Sequence, residues 1–180
     1  MRLIFIFLSM LMVSGFALSG SASAEGSSGH HKEDQQQLVG TIDNLALSEF
    51  PYRNWFEKAH TSYIPNESTV EALTSSLKDV QVKAFMGTWC HDSKREVPRL
   101  YKILESANFD LSKVSLIALN HEKKTQSGLE QGFNVLRTPT FIFLKDDIEI
   151  GRIVETPRES LEKDMLKIVS GQEYKHSYED

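Results

Sequence analysis

From residue 68 onward the chain carries two clear hydrophobic periods. Val70, Leu73 and Leu77 recur at helical spacing behind Ser68-Thr69-Val70-Glu71, the Ser-x-x-Glu arrangement of a capping box, so the pattern predicts a helix starting at Ser68 and ended by Asp79. Val80, Val82 and Ala84 then alternate with Gln81 and Lys83 before Phe85 and Met86 extend the apolar run, which predicts a strand over Val80–Met86. Beyond Cys90, Val97, Leu100, Tyr101 and Leu104 take the i, i+3, i+4, i+7 positions of an amphipathic helix, with Pro98 expected to kink it. Val114–Leu119 has the length and composition of a buried strand, and Gln126–Phe133 reads as a short, weakly patterned helix. Thr140–Leu144 and Ile148–Val154 are predicted as a hairpin turning at Lys145-Asp146-Asp147. A second capping box, Thr156-Pro157-Arg158-Glu159 with proline at the first helical position, precedes a face of Leu161, Met165, Ile168 and Val169, and Gly171 stops that helix. The order helix, strand, helix, strand, helix, strand, strand, helix predicts an α/β domain: a central mixed sheet with helices on both faces.

The segments outside this pattern divide the rest of the chain. Residues 38–67 are less regular, but Phe50, Tyr52, Trp55, Phe56 and Tyr63 are too apolar a group to stay solvated, so they are expected as an N-terminal extension packed on a domain spanning 68–171. Residues 172–180 read as a charged tail. Glu25–Gln37 has no apolar side chain to offset its ordering entropy and reads as a disordered leader, in which His30 and His31 lack the further ligands of a metal site. No metal and no cofactor is expected. Arg2, the apolar run Leu3–Leu18 and the small residues ending in Ala22-Ser23-Ala24 match a secretory signal, residues 1–24, cut after Ala24. Ser9, Ser14 and Gly15 interrupt that run, which falls short of the roughly 20 strongly apolar residues of a membrane span. With no cysteine directly after the run to carry a lipid, the chain is expected to be periplasmic or secreted without a stable membrane anchor.

The formal charge is −5, and neither a basic stripe nor interleaved aromatic and basic residues points to nucleic acid as a partner. A single cysteine makes an internal disulfide impossible, and in an exported chain a leftover cysteine reads as an intermolecular partner or a reactive thiol.

Around that cysteine, Trp89-Cys90-His91-Asp92-Ser93 resembles the thioredoxin-like superfamily, in which a strand ends in Trp-Cys-x-x-Cys and the first cysteine begins a helix. The apolar strand before Trp89, Pro98 eight residues after Cys90, the Thr138-Pro139-Thr140 step into a strand and the terminal hairpin and helix follow in the family's order, over Ser68–Gly171. The resemblance implies a thioredoxin-like fold, with Pro139 as a cis-proline facing Cys90 and with Trp89, Thr138 and Pro139 contacting an extended substrate. Three departures matter. Ser93 replaces the second cysteine, Ala84 stands where many thioredoxins bury an acid, and His91-Asp92 replaces Gly-Pro.

A helix N-terminus presents unpaired N–H groups that favour a thiolate. Ser93 is expected to donate a hydrogen bond to the sulfur and His91 to attract it when protonated, while Asp92 opposes both if it points at the sulfur. Cys90, Ser93 and His91 are therefore the catalytic candidates. The reading is monothiol thiol-disulfide exchange, reductase-like or isomerase-like, resolved by an outside protein thiol or low-molecular-weight thiol. Its rivals are a redox-inactive binding module, using the groove beside Pro139 and the aromatic patch around Trp55, and a thiol peroxidase or redox sensor passing through a sulfenic acid. His121–Lys124 reads as a solvated loop and His176 as part of the tail, neither with a role.

Overall fold

Five strands form one sheet in the order β1-β3-β2-β4-β5 in the computed structural model, which describes residues 37–179. The expected signal over 1–24, and the leader apart from Gln37, lie outside the described residues. The elements are β1 (Gly40–Ile42), α1 (Asn44–Leu47), α2 (Arg53–Ser62), α3 (Glu67–Ser76), β2 (Val80–Met86), α4 (His91–Ser106), β3 (Val114–Ala118), β4 (Thr140–Lys145), β5 (Ile148–Val154) and α5 (Leu161–Val169), with a 3-10 turn at Leu111–Lys113. β2 runs parallel to β3 and antiparallel to β4; β1 joins β3, and β5 joins β4, antiparallel. The sheet is mixed and flanked by helices. The edge strand β1 comes from the 38–67 segment, which therefore supplies part of the sheet itself.

The alternation read in β2 sets the two faces. Val80, Val82, Ala84 and Met86 join Leu116, Phe141, Phe143 and Ile153 in one buried cluster with the apolar residues of α2, α3, α4 and α5. Burying a side chain such as the fully enclosed Phe143 contributes roughly 2–3 kcal/mol. Phe85, Ile117, Ile142 and Leu144 project to the opposite face, where Leu129, Phe133 and Val135 cover them. The expected helix over Gln126–Phe133 is absent there. Gly128 and Gly132 have φ of 71° and 84°, left-handed positions that a right-handed helix cannot contain. The Glu130 carboxylate instead accepts from Thr125 N and Oγ1 at 3.0 and 2.8 Å, closing a compact turn. Helices thus cover one face of the sheet, and an irregular segment covers the other.

Both expected capping boxes are displaced. α3 starts at Glu67 under Asn66, whose Oδ1 accepts from Thr69 N at 3.0 Å and from Ser68 Oγ at 2.8 Å. Asparagine caps as well as serine does, and this one sits two residues earlier. α5 starts at Leu161 after Ser160, leaving Pro157 outside the helix. Its entry is held from within, because the buried Asp164 carboxylate accepts from Arg158 N at 2.6 Å and Glu159 N at 3.3 Å. α4 continues through the buried Pro98. Asp146 and Asp147, with φ of 53° and 60°, make the two-residue turn that pairs Lys145 with Ile148.

The aromatic group before α3 packs as expected in part. Tyr52 and Phe56 are buried, Trp55 and Tyr63 pack against the same cluster, and the Phe56 and Tyr101 rings meet edge to face at 6.1 Å. Phe50 is 78% exposed. Among the described residues no helix is long and apolar enough to cross a membrane.

Candidate functional site

β2 ends at Met86 and the chain turns through Gly87-Thr88-Trp89 into α4. Cys90 N donates to Gly87 O at 2.9 Å to close that turn, and Cys90 is the N-cap of α4, with extended backbone and its carbonyl accepting from Lys94 N at 3.0 Å. A Cβ on Gly87 would lie 2.5 Å from the Trp89 ring, so only glycine leaves room for the indole to fold over the turn. Trp89 Nε1 donates to Leu119 O at 2.9 Å, and Leu38 N donates to Thr88 Oγ1 at 3.2 Å, which ties the turn to β3 and to the N-terminal segment.

Thr138 reaches the same place because Phe85 pairs with Thr140, which puts the start of β4 beside the end of β2. The half-buried Cys90 sulfur donates to Thr138 O at 3.1 Å, and the Thr138–Pro139 peptide bond is cis. Cys90 lines a cavity of about 210 Å³ together with Trp89, Lys123, Leu136, Arg137, Thr138 and Glu155.

The structure thus brings Trp89, Cys90, Thr138 and Pro139 together. Ser93 departs from its expected part: it is fully buried, and its Oγ accepts from Gly87 N at 3.1 Å, holding the β2–α4 turn from beneath. His91, the first helical residue, is exposed, and no hydrogen bond or ion pair joins it to Cys90. Asp92 pairs with Arg95 at 2.7 Å, so its charge is balanced on its own helix. Ala84 is fully buried and brings no acid beneath the site. The buried acid of α4 is Glu96, whose Oε1 accepts from Arg95 Nε at 2.5 Å and Arg99 Nη1 at 3.2 Å.

Four site residues were not singled out from the sequence. The His121 ring stacks on Trp89 at 4.3 Å between centroids, so the loop read as solvated packs on the site, and Lys123 Nζ lies 5.9 Å from the Trp89 ring centroid. Arg137 and Glu155, which both line the cavity, meet at 3.4 Å. Arg137 directly precedes Thr138 and could have been drawn in with it. Nothing in the local sequence signals that Glu155 or His121 folds back to Cys90. Among the described residues no group of three or more His, Cys, Asp and Glu side chains lies close enough together to hold a metal ion.

No family model and no curated protein matches the chain. Solved structures similar to it include a Pseudomonas aeruginosa protein of unknown function (16% identity, 66% of this chain and 71% of that one, TM-score 0.42). Fasciola hepatica thioredoxin is 16% identical over 57% of this chain and 89% of its own, with TM-score 0.36. Oxidized mitochondrial thioredoxin 3 of Saccharomyces cerevisiae is 24% identical over 53% and 86%, with TM-score 0.32. Likeness at this level does not bear on what the chain does.

Proposed function

We propose that the protein is a thioredoxin-like, periplasmic or secreted protein that performs monothiol thiol-disulfide exchange through Cys90. The observation that carries this is Cys90 at the N-cap of α4, lining a cavity and with its sulfur hydrogen-bonded to Thr138 O. A helix N-terminus turns unpaired backbone N–H groups and the positive end of the dipole toward a thiolate. The Cys90 thiolate attacks one sulfur of a bound disulfide. A bond forms between Cys90 and that sulfur, the original S–S bond breaks, and the other sulfur leaves with the electron pair and takes a proton from solvent.

Resolution follows from Ser93. Its hydroxyl is a poor nucleophile and is engaged with Gly87 N, so the mixed disulfide waits for an outside thiolate, which attacks and returns Cys90 as thiolate. Net oxidation or reduction of Cys90 is zero over the cycle, and the electrons pass from the outside thiol to the substrate. In an isomerase-like cycle the substrate's own second thiol makes that last attack. The test is turnover of a scrambled-disulfide protein with a small thiol present: Cys90→Ala abolishes the protein's contribution. Equal turnover with and without Cys90 would leave a binding role for the groove and remove the exchange role.

A further inference from the structure

We propose that Arg137 and Lys123 form a cationic rim around Cys90 that selects disulfides flanked by carboxylates, and that Tyr178 of the C-terminal segment is the positioning residue that holds Arg137 in that rim. The inference rests on the exchange reading and names its substrate class.

Three chain segments far apart in sequence meet beside the cavity, with Arg137 and Glu155 in its lining and Tyr178 in contact with both. Arg137 comes from the stretch before β4, Glu155 from the turn after β5, and Tyr178 from the C-terminal segment. The Arg137 guanidinium lies 3.9 Å from the Tyr178 ring centroid, and the Tyr178 hydroxyl donates to the Glu155 carboxylate that pairs with Arg137 at 3.4 Å. A guanidinium stacked on an aromatic face keeps its donors in a fixed plane, the property that makes arginine read carboxylates with geometry as well as charge. Glu155 is fixed in turn, because its backbone N donates to Pro139 O at 2.7 Å.

The segment that carries Tyr178 is tied down at several points, starting where Tyr174 packs against the core. Arg158 Nη2 donates to His176 O at 3.1 Å and Glu179 O at 2.8 Å, Ser177 Oγ donates to Thr156 O at 2.6 Å, and Tyr174 donates its hydroxyl to Asp164 at 2.9 Å. These bonds deliver one aromatic ring to one arginine beside the cavity.

The charge balance then points to the ligand. Two cations, Lys123 and Arg137, line the cavity against one carboxylate, and that carboxylate is shared between Arg137 and Tyr178. Asp92, the nearest acid on α4, is balanced by Arg95. A disulfide whose cysteine has a carboxylate close by complements this rim, whereas one flanked by lysine is repelled.

The test uses the full chain, reduced, with symmetric disulfides of short blocked peptides that differ only in Glu, Gln or Lys beside the cysteine, and with glutathione disulfide against its carboxyl esters. Adduct formation on Cys90 is followed by intact mass. The Glu peptide is expected to react about five- to tenfold faster than the Lys peptide, the scale of one or two exposed ion pairs. That ratio should collapse in about 1 M salt, where the screening length is about 3 Å. Arg137→Gln and Lys123→Gln each lower the ratio. Tyr178→Ala lowers it as far as Arg137→Gln does, while Tyr178→Phe, which keeps the ring, retains most of it, a pattern that loss of general stability does not produce.

A preference among the peptides alone assigns the rim to protein disulfides, and one between glutathione disulfide and its esters alone assigns it to small thiols. Equal rates throughout overturn the rim while leaving exchange intact. Absence of any adduct overturns the exchange reading itself, and Tyr178→Ala with an unchanged ratio overturns the role of the C-terminal segment.

Discussion

The Cys90 sulfur donates a hydrogen bond to the Thr138 carbonyl oxygen across 3.1 Å, joining residues 48 positions apart. The contact follows from the sheet. β2 and β4 are antiparallel neighbours with Phe85 opposite Thr140, so the chain leaving β2 and the chain entering β4 share one end of the sheet. The thiol is therefore placed by two central strands and a helix N-terminus, not by a mobile loop. This gives the site a rigid frame whose weak points can be named.

Gly87 is one of them. A side chain there meets the Trp89 ring at 2.5 Å, so Gly87→Ala must displace the indole and its bond to Leu119 O. The expected cost is about 1–3 kcal/mol of stability, the usual penalty for overpacking. Denaturant unfolding measures it, and a change in near-UV circular dichroism reports the moved indole.

Ser93 is a structural residue in this account. Ser93→Ala strands the buried Gly87 N–H and should cost about 1–3 kcal/mol while leaving adduct formation at Cys90 in place. Unfolding midpoints and intact mass separate the two effects. A serine needed for the chemistry would instead lose the adduct with little change in stability.

How far the site could be read from the sequence divides along the same lines. Trp89, Thr138 and Pro139 are reached only through the resemblance of Trp89–Ser93 and Thr138-Pro139-Thr140 to the thioredoxin-like superfamily, and Cys90 also as the single cysteine, while β2, β4, β5 and the faces of α4 and α5 follow from the periods of their apolar residues. Ser93 is recognised by position, but its orientation depends on an N–H six residues earlier that no pattern exposes. The caps are misplaced because Ser68 and Thr156 imitate capping boxes, while Asn66 caps the helix two residues earlier through Thr69 N and the carboxylate of Asp164, four residues inside the Ser160 cap, takes Arg158 N and Glu159 N. The helix expected over Gln126–Phe133 fails on Gly128 and Gly132, whose left-handed backbone outweighs a weak apolar pattern. Lys123, Glu155 and His121 are brought in by tertiary folding alone, whereas Arg137 adjoins Thr138 in the chain.

Acid should weaken the fold through Glu162. Burial pulls its carboxyl upward, but bonds from the Tyr63 hydroxyl and from backbone N–H groups including Asn66 outweigh this and leave it below its ordinary value. The folded value thus lies below the unfolded one. The stabilisation is fully present above the unfolded pKa of about 4.3 and is lost as pH falls through the folded value. Urea midpoints of the wild type should drop more steeply between about pH 5 and about pH 3 than those of Glu162→Gln, because the variant has no proton to take up there. Parallel curves would remove Glu162 from the account.

Export makes a separate expectation. If Ala22-Ser23-Ala24 is the cleavage step, the protein recovered from outside the cytoplasm begins at Glu25. Intact mass of the exported chain checks this, and recovery of Met1–Ala24 on that chain would contradict it.

The central claim is that Cys90 reacts and cannot resolve its own product. In a two-cysteine site the second thiol attacks from within, and such placed attack reaches effective molarities of about 10⁵ M or more; here Ser93 occupies that position. The most direct measurement is an intact-mass time course of the reduced protein with glutathione disulfide. The wild type should take up one glutathione on Cys90 and keep it until an outside thiol is added. Ser93→Cys should lose the adduct to an internal disulfide with release of glutathione. A wild-type protein that forms no adduct, or one that sheds it without added thiol, would contradict the account.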